Sequence, residues 1–216
     1  MSVPASRLAA LALVFGLTFA APAWAVQFPA QPLSFTVLRD GDAVGTHVLR
    51  FQPQADGVTV DIQTKVLVKI AMIPVYRFEH HGHEQWRASQ LVELDSTTND
   101  DGTQHSVKAA ADAGALDVKG DGHDSRLPAA ILPASLWNRD AMSQSMLMNT
   151  LDGHAMKVNI ADMGEDSVTV HGNLRPAHHY AMTGDLSREL WYDGQGTLVQ
   201  VRFKAKDDSD IRYVLN

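Results

Sequence analysis

Cysteine is absent from the 216-residue chain, and that absence removes several kinds of chemistry at once. No disulfide can brace the fold, no thiol can act as a nucleophile, and no thiolate can hold zinc or a c-type haem. The lipid-bearing cysteine that anchors a bacterial lipoprotein is excluded as well. Stability has to come from apolar burial, which a chain of this length can supply.

Excess positive charge is also missing. Lys and Arg number 18 against 25 Asp and Glu, for a net charge of −7. Mild acidity spread along the chain argues against nucleic acid and anionic membrane surfaces, since both call for basic patches. Familiar catalytic spacings are absent too: there is no G-x-S-x-G, no S-x-x-K and no H-E-x-x-H. Aspartates fall mainly in turns (Asp100-Asp101, Asp207-Asp208), where they form turns with solvated charges. No catalytic residue, cofactor or enzyme activity is therefore assigned.

Long apolar runs are scarce, and the first marks a targeting segment. Arg7 supplies a positive start, Leu8 to Ala21 is uncharged and apolar, and Ala23-Trp24-Ala25 is an A-x-A cleavage site. This run is too short for a comfortable membrane span of about 20 residues. Residues 1–25 are read as a cleaved signal peptide and 26–216 as a single antiparallel β domain, periplasmic or secreted. Loss of Arg7 would leave 17 basic against 25 acidic residues, a net charge of −8. The longest later run, Val66 to Tyr76, is interrupted by Lys69 and Pro74, so no membrane span follows the leader.

What is abundant is strand patterning. Val58 to Gln63 alternates strictly, and Phe35 and Val37 share one face of a strand. His47, Leu49 and Phe51 share a face opposite Val48. Asp40-Gly41-Asp42, Asn99-Asp100-Asp101-Gly102, Met163 to Asp166 and Asp193 to Gly196 read as turns, because Asp and Gly tolerate positive φ. About a dozen strands at this spacing indicate a sandwich or a barrel. The expected fold is mainly β: a strongly curved antiparallel sheet, half-barrel or lipocalin-like barrel, with a β-sandwich as the alternative. One short helix is expected within 134–150, capped by Ser135 or Asp140, with Met142 and Met146 at helical spacing.

Two residue sets invite chemistry. His80, His81 and His83 lie beside Glu79 and Glu84, and His81 and His83 would share a strand face suited to zinc or copper. Adjacent histidines point to opposite faces and no zinc-site spacing is present. The segment is read as a solvated hairpin tip and no metal is assigned; a metal-dependent protein using His81 and His83 stays as an alternative. The aromatics form the other set. Tyr76, Trp86, Trp137, Trp191 and Tyr192, with the non-alternating Val66 to Tyr76 run, could line a concave sheet that holds an apolar ligand.

The succession Val75-Tyr76-Arg77-Phe78-Glu79, Glu84-Gln85-Trp86, Thr98 to Gly102, Ser135-Leu136-Trp137-Asn138 and Glu189 to Asp193 resembles a family of exported (periplasmic) bacterial proteins of unknown function. The resemblance covers nearly all of the chain after residue 25. It implies an antiparallel β domain in the periplasm and carries no catalytic residues. The leading functional expectation is a binding or carrier module for an apolar or lipid-like ligand. The competing one is an envelope-assembly scaffold that docks a protein partner on an exposed strand edge.

Overall fold

A computed structural model describes residues 28–170 and 172–216, so the signal-peptide reading of residues 1–25 lies outside the described residues. The first half of the chain is an antiparallel meander: β1 (Leu33–Arg39), β2 (Asp42–Gln54), β3 (Gly57–Ile70), β4 (Ile73–Arg87), β5 (Gln90–Asp100), β6 (Thr103–Asp112), β7 (Ala115–Gly120) and β8 (His123–Pro128). The second half contains β9 (Leu132–Pro133), a 3-10 turn (Arg139–Ser143), β10 (Met146–Met148), β11 (Ala155–Val170), β12 (Asn173–Gly184), β13 (Arg188–Tyr192), β14 (Leu198–Lys204) and β15 (Asp210–Leu215).

All fifteen strands join one sheet, in the order β8-β7-β6-β5-β4-β3-β2-β1-β15-β14-β13-β12-β11-β10-β9. β15 pairs with β1, Tyr213 opposite Val37, so the two halves are stitched together in the middle of the sheet. The two edges, β8 and β9, follow one another in sequence, and only residues 129–131 separate them. One hydrophobic core draws side chains from all fifteen strands, with β8 and β15 contributing only the partly buried Leu127, Tyr213 and Leu215. A sheet whose distant strands share a core on one face must curl around that core, giving a barrel-like shape with a seam between β8 and β9. A two-sheet sandwich does not describe this order.

Turn chemistry fixes the meander. The two-residue connections Asp40-Gly41, Asp101-Gly102, Ala113-Gly114 and Asp121-Gly122 each hold both residues at positive φ. That conformation matches the twist of the flanking strands and suits Gly at its second position. In the second half, β11 runs straight through residues 163–166, which had the composition of a turn. Gly164 takes φ +84°, the register slips between Asp162 and Gly164, and Asp162 Oδ1 accepts the Gly164 N–H at 2.8 Å. The turn-like composition is used for a bulge that bends a sixteen-residue strand.

Helix is confined, among the described residues, to the five-residue 3-10 turn at 139–143, inside the expected 134–150 span. Its cap is the Asn138 side chain, which accepts from the Asp140 N–H; neither Ser135 nor Asp140 caps it. Met146 belongs to a short strand rather than to a helix face. The segment crosses the Glu84 end of the concave face and fills it there, with Trp137, Ala141, Leu147 and Met148 all buried in the main core. Pairing with Pro133 and Met156 was worth more here than helical spacing of methionines, because extended backbone continues the sheet ladder.

Candidate functional site

β4 carries the sharpest cluster of the sequence, and it is no hairpin tip. His80, His81, Gly82 and His83 lie mid-strand, paired on one side with Thr64, Gln63, Ile62 and Asp61 of β3 and on the other with Thr98, Thr97, Ser96 and Asp95 of β5. Alternation sends His80 and Glu84 to the concave face and His81 and His83 outward. His83 Nδ1 lies 2.7 Å from Asp61 Oδ1, beside a shallow groove of about 340 Å³ that also touches His81 and Asp95. No set of three or more His, Asp or Glu side chains is arranged to hold a metal ion among the described residues.

Three of the five aromatic residues picked from the sequence come together at one end of the concave face. The Trp86 and Trp137 indole N–H groups both donate to Glu84 Oε2, each at 2.9 Å, and the two rings meet edge to face at 5.4 Å. Tyr192 donates its hydroxyl to the Leu136 carbonyl at 2.7 Å, tying β13 to the same crossing segment. Leu136 sits at φ +61°, a costly setting for a branched residue, and this bond with the Trp137–Glu84 bond holds it there. Glu84 is fully buried. Burial pushes its carboxyl above the usual range; the Trp137, Ser135 and Trp86 side chains and the His83 charge oppose that in part. Its Oε1 makes no hydrogen bond, although the Ser135 side chain is close enough to favour the charged form.

The other two residues lie elsewhere. Trp191 faces outward, where the part of the β11–β12 hairpin beyond the bulge leaves the sheet and folds back over β13 and β14. There Val168, Val170 and Ala177 pack with Trp191 and Val199 as a second, smaller core. Trp191 stacks on His179 at 4.3 Å and donates to Asp166 Oδ2 at 2.8 Å. A cleft of about 630 Å³ opens beside it, with Leu38, Arg212 and Val214 among its walls. Tyr76 is half-buried on the concave face of β4, donating to Asp100 Oδ1 at 2.7 Å. Burial, then that bond to Asp100, drive its phenol far above the usual range.

Tyr76 marks a region that the sequence reading did not assemble. Opposite residues across β2 to β5 form a row on the concave face: His47, Thr64, His80 and Thr98. His47 Nδ1 lies 2.7 Å from Thr64 Oγ1, and His80 Nδ1 lies 2.7 Å from Thr98 Oγ1. Burial lowers His47 to about 3, helped by His80, and lowers His80 to about 4, helped by His81, so both rings are neutral at pH 7. From His47 the lining continues to Tyr213 at 5.2 Å and from Tyr213 to Phe203 at 6.0 Å. Over the Phe203 ring, at 3.8 Å, stands the Arg188 guanidinium.

Arg188 is the exceptional group of this lining. It is part-buried, and desolvation pulls its pKa down. Among the described residues it has no carboxylate partner; its one hydrogen bond goes to the Ser187 carbonyl at 2.7 Å. The sequence did carry a signal for the row. His47 falls in phase with Leu49 and Phe51, Thr64 with Val60 and Ile62, His80 with Phe78, and Arg188 with Leu190. Polar residues in the phase of a buried face are the pattern to read.

Comparison with other proteins bears on the fold and on the family. The crystal structure titled "Beta-barrel-like Protein of Domain of Unknown Function DUF1849 from Brucella abortus" superposes with a TM-score of 0.62. It covers 89% of this chain and 98% of that one at 11% sequence identity, a likeness of fold. No curated protein matches the chain. The aromatic and acidic residues around Glu84, the histidine row and Arg188 all fall inside a family match over residues 35–216, and the chain belongs to that family, described as Domain of unknown function (DUF6134).

Proposed function

We propose that this protein is an exported binding or carrier module for an amphipathic, lipid-like molecule with an anionic head. The ligand's head would sit at the polar end of the concave face and pair with Arg188. The observation that carries this reading is the guanidinium itself: a part-buried, desolvated cation resting on Phe203 with no carboxylate partner among the described residues. Buried charges in folded proteins are paired, because an isolated one costs several kcal/mol of lost hydration. An incoming carboxylate or phosphate would meet that need with a bidentate, charge-assisted contact.

The surroundings suit such a guest. Phe78, Phe203 and Tyr213 offer apolar area, while His47 and His80 are held neutral and do not compete for the anion. The opposite end, around Glu84, is filled by the crossing segment and works as a floor. The leader-like start of the chain supports an exported, periplasmic setting for this role.

Native mass spectrometry of protein purified from its host, with a fluorescent fatty-acid titration, tests the reading. A one-to-one adduct is expected. Arg188→Gln should weaken the fatty acid at least ~10-fold, the loss of one charge-assisted pair, while leaving the matching fatty alcohol little changed. A clean apo mass together with no response to the fatty acid would overturn it.

A further inference from the structure

The hairpin between β3 and β4 ends in a tip that the fold does not explain. Five of the seven large hydrophobic side chains that stand exposed lie within residues 67–75: Leu67, Ile70, Met72, Ile73 and Val75. Ile70, Met72 and Ile73 are 64%, 82% and 66% exposed, so most of each side chain is left uncovered by the described residues. Single exposed apolar residues are ordinary; a contiguous set at the apex of one hairpin is not.

Backbone conformation at the apex makes the choice of residues stranger. Ala71 and Met72 both hold positive φ, at +48° and +70°. Four other two-residue hairpins of this sheet adopt the same sign pattern, and every one places Gly second. An L-residue such as Met pays a steric penalty there that Gly avoids. Neither folding nor solubility favours Met72 in this turn.

Charge supplies the partner's identity. Residues 65–77 contain Lys65, Lys69 and Arg77 and no acid, in a chain whose net charge is −7. Arg77 pairs with Glu79, which also lies opposite Lys65 and feels its charge, whereas Lys69 forms no ion pair among the described residues. Both lysines are exposed on the stem just behind the apolar apex. The overall acidity that argued against membrane surfaces thus averages over a local cationic, apolar tip.

We propose that the β3–β4 hairpin tip docks the protein on an anionic lipid surface. Ile70, Met72 and Ile73 would enter the boundary between headgroups and acyl chains, and Lys65 and Lys69 would lie at the level of the lipid phosphates. Apolar insertion combined with juxtaposed lysines is the recognised pattern of reversible interfacial binding. This holds whether or not the Arg188 end of the concave face takes a ligand.

Co-sedimentation of the mature protein with vesicles of phosphatidylglycerol and phosphatidylethanolamine tests it. Binding is expected, weakening at least ten-fold on vesicles of phosphatidylcholine alone and weakening with added salt. The triple variant I70S/M72S/I73S should lose at least ten-fold in affinity with an unchanged thermal midpoint, since these side chains are mostly exposed. K65E/K69E should lose the preference for phosphatidylglycerol. In M72W, tryptophan emission should shift to the blue when anionic vesicles are added. Absence of wild-type binding would overturn the proposal, as would equal binding by the triple variant. So would finding that the tip mediates self-association, seen as a concentration-dependent dimer in sedimentation velocity that the triple variant abolishes.

Discussion

Two carboxylates in this molecule accept hydrogen bonds from tryptophan indoles, and their surroundings push them in opposite directions. Glu84 takes two indole donors inside the main core, and burial raises its pKa despite them. Asp166 takes one, from Trp191, on the outer surface, where that bond and the Ser167 N–H lower its pKa. The same donor chemistry thus has two consequences, and solvent decides between them. Inside, the bonds offset part of a desolvation cost and fix the crossing segment to β4. Outside, the bond only positions the β11–β12 flap, because water stands ready to replace it.

The largest expected effect breaks the inner site. Glu84→Ala leaves the Trp86 and Trp137 N–H groups buried without an acceptor and opens a void beside them. A loss of about 3–5 kcal/mol in unfolding free energy is expected from urea titration. Asp166→Ala should leave the urea midpoint where it is. Equal effects at the two positions would erase the distinction between them.

A smaller effect sharpens it from the donor side. Trp137→Phe keeps most of the ring, removes one N–H, and unpins Leu136 from its positive φ; about 1–3 kcal/mol should be lost. Trp191→Phe keeps the stack on His179 and surrenders a bond that is open to water, so less than about 1 kcal/mol should be lost. Thermal unfolding of the two variants side by side measures the difference. A Trp191→Phe loss as large as that of Trp137→Phe would mean that the outer cluster is a true extension of the core.

Much of this architecture was legible in the residues. Alternation in Val58–Gln63 and the Asp-Gly turns announced an antiparallel meander, and the curved sheet follows from their number. What escaped was anything decided by long-range pairing. Nothing local says that β15 will lie beside β1, so nothing local brings Arg188 and Tyr213 to the end of the face that holds His47 and His80. Trp191 and Tyr192 are neighbours in sequence and face opposite sides of the sheet, so two residues that read as one aromatic set belong to two different cores. The histidines at 80–83 have the polar composition of a turn, but β-pleating places one of the three, His80, inside, where Thr98 satisfies it.

The pH dependence of stability separates the inner carboxylate from its histidine neighbours. Glu84 holds its proton more tightly folded than unfolded. From the ordinary value of 4.5 upward, the folded state therefore binds more protons, and stability falls as pH rises through the folded pKa. His47 and His80, lowered to about 3 and about 4, act with the opposite sign. Below 6.5 the unfolded chain protonates its histidines first, so stability falls as pH falls toward 4. Above 4.5 the Glu84 trend opposes the histidine trend, and the wild-type profile should rise less with pH there than the histidines alone would make it. Glu84→Gln removes the carboxylate's part while keeping an acceptor for the indoles. The unfolding free energy of that variant, from urea titration, should rise with pH between 4.5 and 6.5, by up to about 1.4 kcal/mol per pH unit for each histidine. Asp166→Asn should leave the wild-type profile unchanged there, because the lowered Asp166 stays ionised throughout and titrates only below the ordinary carboxylate value. A Glu84→Gln profile parallel to wild type would show that Glu84 does not hold its proton in the folded core, and the contrast between the two carboxylates would fall with it.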